Sequence, residues 1–113
     1  HMMIAALLLL PAAEAAAAAD SPPQTAKECI SDTGAGFVRD GEQPTFRIKF
    51  QNDCDRAITC EIDAYVVGSR GPSQGHKKLA FEPRGQTPTT VQYTLPIKAM
   101  VGSAQYSREC KFK

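Results

Sequence analysis

The chain has 113 residues, a formal net charge of +1, four cysteines and no tryptophan. That length argues for a single domain. Its basic stretches lack the interleaved aromatic rings on which bases stack, which argues against nucleic-acid binding. An even number of cysteines in so short a chain points to two disulfides and an oxidising compartment.

The first two residues read as a cloning scar. After them, Ile4–Leu10 is an apolar run far shorter than the roughly 20 residues that cross a bilayer. The tripeptides Ala13-Glu14-Ala15 and Ala17-Ala18-Ala19 match the small-x-small rule for signal cleavage. Residues 1–19 are therefore expected to be scar plus signal peptide, with an exported product, periplasmic or extracellular. Residues 20–26 read as a flexible lead-in, because Pro22-Pro23 forbids regular hydrogen bonding. The domain is expected over 27–113.

Within it, "AKECI" is expected to open an edge strand, and "SDTGAG" to form a turn with Gly34 and Gly36 free for positive φ. A short strand from Phe37 should end in a turn at Asp40-Gly41. The clearest strand is Thr45–Asn52, where Phe46, Ile48 and Phe50 alternate with Arg47, Lys49 and Gln51. Ala57–Gly68 repeats the pattern, with Ile58, Cys60, Ile62, Ala64 and Val66 on one face. "DCDR" between them is read as a hairpin connection. Ser69–Lys78, rich in Gly, Ser and bases, reads as a loop. "LAFEPRG" reads as a short strand with Leu79 and Phe81 on one face, and Pro83 places its end at an edge or stop. Val91, Tyr93 and Leu95 share one face of the next. In the last strand Ala104, Tyr106, Cys110 and Phe112 are in phase and Arg108 breaks the pattern.

Six or seven short strands with turns every 8–12 residues predict a small antiparallel β-sandwich; a small open β-barrel is the alternative. The strand pattern resembles the immunoglobulin and fibronectin-III architecture over Lys27–Lys113. The resemblance is one of architecture: tryptophan is missing, and Tyr106 precedes Cys110 by four residues where a tyrosine corner would place it two before. It assigns no functional residues.

In a sandwich, Cys29 at the start of the first strand meets Cys54 at the end of its neighbour. Cys60 at the start of one strand meets Cys110 at the end of another. The favoured pairing is therefore Cys29–Cys54 with Cys60–Cys110, against Cys54–Cys60 with Cys29–Cys110. Neither the spacing C-x5-C nor the lone His76 of the mature chain suits zinc, and C-x-x-C is absent. Asn52, Asp53 and Asp55 could form a loose calcium site, but ordinary turn chemistry, in which Asn and Asp bond their own backbone, is the plainer account. "GPSQGHKK" departs from the phosphate-loop pattern, since His76 intervenes and no helix follows.

Charge is uneven along the chain. Asp20–Asp63 holds nine acids and five bases, a net −4; Ala64–Lys113 holds two acids and eight bases, a net +6. Arg70, His76, Lys77 and Lys78 are the candidate contacts for an anionic or protein partner. No catalytic constellation, cofactor or metal site is expected. The function predicted is a non-catalytic binding or protein-interaction module, its partner a protein or an anionic envelope component. A structural envelope protein is the alternative, and a metal or redox protein a minor one.

Overall fold

The computed structural model describes residues 25–113; the expected scar, signal peptide and all of the lead-in but Thr25 and Ala26 lie outside the described residues. One helical turn, α1 (Ala26–Cys29), precedes six strands: β1 (Ile30–Asp40), β2 (Gln43–Asn52), β3 (Ile58–Gly68), β4 (Gly71–Phe81), β5 (Thr89–Pro96) and β6 (Gly102–Phe112). They form two three-stranded antiparallel sheets, ordered β1-β2-β5 and β4-β3-β6. The two sheets share no hydrogen-bonded strand pair, so the architecture is the sandwich and not the open barrel.

Alternation builds the core. Phe46, Ile48 and Phe50 of β2 face Ile58, Cys60, Ile62, Ala64 and Val66 of β3, with Leu79 and Phe81 of β4 and Tyr93 and Leu95 of β5 completing the layer. Each strand shows its other face to water, as the period of two requires.

Two disulfides tie the frame: Cys29–Cys54 at one end and Cys60–Cys110 between β3 and β6. This is the pairing that the strand layout favours. Ile30 stands in register with Asn52, which brings Cys29 to the β2 exit; Cys60 stands directly opposite Cys110.

Several local expectations are corrected. "AKEC" is a helical turn, not a strand, because Thr25 and Glu28 make a reciprocal capping box and Ala26 is buried. "SDTGAG" is part of β1, with a bulge between Asp32 and Gly34, and positive φ occurs at Gly41 and Gly71 instead. Gly41 (φ 63°) opens the two-residue β1–β2 turn, the place a primed hairpin turn needs it. "DCDR" is no hairpin: it carries the chain from one sheet to the other. Ser69–Lys78 is mostly strand β4, paired along its whole length with β3.

Arg108 does not break the β6 pattern. It is half-buried on the inner face, where Nη1 donates to Asp32 Oδ1 at 2.7 Å and Nη2 to the Ile30 carbonyl at 2.8 Å. Tyr106 donates to the other Asp32 oxygen at 2.7 Å. Burial first, then the hydrogen bond and charge of Asp32, push the Tyr106 hydroxyl up to about 12, with Arg108 opposing. One carboxylate thus latches β6 to β1 across the sandwich.

Candidate binding surface

The four basic-segment residues singled out in the sequence do not converge. Arg70 sits in the β3–β4 turn, eight residues from Lys78, about 26 Å along an extended strand. Lys77 lies on the opposite side of β4 from His76 and Lys78, since neighbours on a strand alternate. The expected cationic loop is therefore a strand that spreads its charges over two faces.

His76 does gain a defined environment. It stands in register with Asp63 on β3, and Lys78 with Glu61. His76 Nδ1 lies 2.8 Å from Asp63 Oδ1 and Nε2 lies 3.1 Å from Glu61 Oε1. A carboxylate only accepts, so both contacts are satisfied at once when both ring nitrogens carry a proton. The hydrogen bond and charge of Asp63 raise the His76 pKa above 6.5, desolvation opposes, and Glu61 adds a smaller rise. With both nitrogens committed to acids, the imidazole is not set to activate a nucleophile. The two acids hold different nitrogens and do not aim at one point, and the described residues contain no His/Cys/Asp/Glu group able to hold a metal ion.

This histidine forms one wall of a shallow trough of about 580 Å³ across the outer face of the second sheet. Its lining is three registered rows. Asp63, His76 and Ser107 form one wall, and Tyr65, Gln74 and Gln105 the other. The floor between them is Ala64, Gly75 and Tyr106, whose side-chain positions belong to the inner face. Tyr65 is 38% exposed despite its aromatic ring. Among the described residues, the polar side chains of Tyr65, Gln74, Gln105 and Ser107 make no hydrogen bond to protein. The wall opposite His76 thus presents amides and a ring that the fold itself does not use.

Gly75 explains why the trough has a sheet beneath it at all. A Cβ there would collide with the Tyr93 hydroxyl and lie 2.7 Å from Leu95 Cδ1, so the glycine lets β5 pack closely on β4. The sequence showed no apolar alternation here because the inward residues Ser73 and Gly75 are small, complementing a large Tyr93 on the other sheet.

Two of the three residues of the loose calcium candidate, Asn52 and Asp53, are committed to the turn by hydrogen bonds. Asn52 is fully buried; its Oδ1 accepts from the Cys54 amide at 3.0 Å and its Nδ2 donates to the Arg56 and Glu82 carbonyls at 2.9 and 3.1 Å. Asp53 accepts from Ser31 and Gln51 at 2.9 and 2.7 Å. These side chains close the crossing between sheets.

Asp63, Tyr65, Gln74, Gln105 and Ser107 are trough residues that sequence reading did not select. The outward set of Ala57–Gly68 was legible, but its partners depended on the β3–β4 and β3–β6 registers, which span sequence separations that alternation alone does not resolve. No family model matches the chain, and no curated protein or solved structure is significantly similar to it.

Proposed function

We propose that the protein is a non-catalytic binding module of an exported, oxidising compartment, and that it recognises a polar partner through the outer face of the second sheet. The observation that carries this reading is the trough: an exposed tyrosine and uncommitted amides facing an Asp–His–Ser wall, on a sheet that the Cys60–Cys110 bond clamps. Aromatic residues are enriched where proteins recognise partners, and ligand sites are preformed concavities with a few placed polar groups. The strand order supports an immunoglobulin-like or fibronectin-III-like reading of the sandwich. Two disulfides support export. No helix among the described residues is long and apolar enough to cross a membrane.

The direct test is photo-crosslinking in the cell that makes the protein. A photoreactive side chain replacing Tyr65 is expected to give discrete adducts, which the added change Gln105→Arg removes. The same side chain replacing Glu82, exposed beyond the end of β4, is expected to give none. Equal adducts at both positions, or none at position 65, would overturn the assignment.

A further inference from the structure

The opposite face of the molecule holds a second, smaller groove of about 270 Å³, lined by Thr33, Gly34, Gly36 and Val38 of β1 with Arg47 and Lys49 of β2. Arg47 and Lys49 are two residues apart on one strand, so they share the outer face of the first sheet about 7 Å from each other. Opposite each of them the β1 register places a glycine: Gly36 across from Arg47, and Gly34 across from Lys49.

Four features here are unexplained by the fold. Two like charges stand side by side, and among the described residues neither makes an ion pair or a side-chain hydrogen bond. The neighbouring carboxylate at the strand end, Asp53, is already held by Ser31 and Gln51. Two glycines interrupt a strand where side chains would fit, since an added Cβ at either meets nothing within 4 Å. A glycine inside a strand weakens it and often marks a close approach by another group. A bulge at Asp32/Gly34 opens the same stretch of edge strand, and Arg47 Nε is covered without any hydrogen-bond acceptor.

We propose that this groove binds an oxyanion group, a phosphate or sulfate, between the Arg47 guanidinium and the Lys49 ammonium. The glycines leave the space that the anion occupies. Rotation of the guanidinium onto two oxygens gives Nε the acceptor it lacks in the free protein, in the paired geometry that arginine makes with such groups. Lys49 supplies the second positive charge, and Thr33 is placed on the rim. The site shares no residue with the trough, so either can fail without the other.

The test is a titration of the ¹⁵N-labelled protein with inorganic phosphate and with sulfate, followed by NMR at the Arg47 Nε–H and the Gly34 and Gly36 amides. Saturable shifts confined to these groups are expected, with binding at least tenfold weaker in Arg47→Gln. Gly36→Val fills the groove; because valine suits an open strand position, this variant is expected to fold as well as the wild type and to lose binding as fully. Vesicles containing phosphatidylglycerol, compared with phosphatidylcholine alone, separate the sources. Capture that inorganic phosphate displaces identifies a lipid headgroup, and binding of phosphate without vesicle capture identifies a free or polymer-borne oxyanion. Shifts spread evenly over Lys77, Lys78 and Lys111, or affinity unchanged in Arg47→Gln and Gly36→Val, would overturn the proposal.

Discussion

His76 bridges two carboxylates of the neighbouring strand, Asp63 through Nδ1 and Glu61 through Nε2. An imidazolium satisfies both of them, and a neutral ring can donate to one only. The histidine is expected to titrate above 6.5 by NMR, and Asp63→Asn to lower its midpoint more than Glu61→Gln, because Asp63 contributes the larger rise. A folded pKa above the unfolded one stabilises the protein fully below pH 6.5, and that contribution is lost as the pH rises through the raised value. A midpoint at or below 6.5, or equal effects of the two substitutions, would contradict the bridging role. Arg108 shows how a residue's role depends on what the fold brings beside it. It looked out of phase because a charge at an inward position is unexpected, yet Asp32 and the Ile30 carbonyl supply what its burial demands.

At the scale of elements, alternation was a reliable guide where the inward residues are large. Every inward residue read in β2 and β3 is buried, from Phe46 to Val66. Alternation is lost where packing or pairing across the molecule replaces the apolar signal. β4 hid behind Gly75 because its complement, Tyr93, lies on the other sheet, and β1 hid behind Gly34 and Gly36 because β2 pairs with it regardless of their turn propensity. The helical turn α1 hid because four residues carry too little periodicity, although Thr25 and Glu28 do spell a capping box. Gly75→Ala is expected to destabilise the domain by about 1–3 kcal/mol through overpacking against Tyr93. Gly36→Ala, with open space around its Cβ, is expected to be neutral or stabilising by up to about 1 kcal/mol. Denaturant melts of the two variants check this directly; equal losses would mean that the close approach of β5 to β4 is wrong.

For the whole molecule, the disulfides and the trough belong to one design. A domain of this size without tryptophan has a modest core, and covalent ties offset part of the shortfall. Cys29–Cys54 spans 25 residues and Cys60–Cys110 spans 50. Chain-entropy reasoning assigns them about 3.5 and about 4 kcal/mol. Replacing the second pair by alanines is expected to cost the more and to loosen the register of β6 against β3, on which the Ser107 and Gln105 positions depend. Amide exchange in β6 that is unaffected by that replacement would count against the link. The pairing was legible in the sequence because it follows from which strand ends meet; the trough was not, because it needs three strands in register at once.

A fragment screen by NMR on the oxidised, ¹⁵N-labelled protein probes the trough directly. Small polar and aromatic probes report which surfaces of a protein accept ligands, whatever its natural partner is. Hits are expected to cluster on Asp63, Tyr65, Gln74, His76, Gln105 and Ser107, and Gln105→Arg to remove them while the remaining resonances stay in place. A screen without hits on the outer face of the second sheet, or with hits scattered evenly over the molecule, would contradict the binding role of the trough.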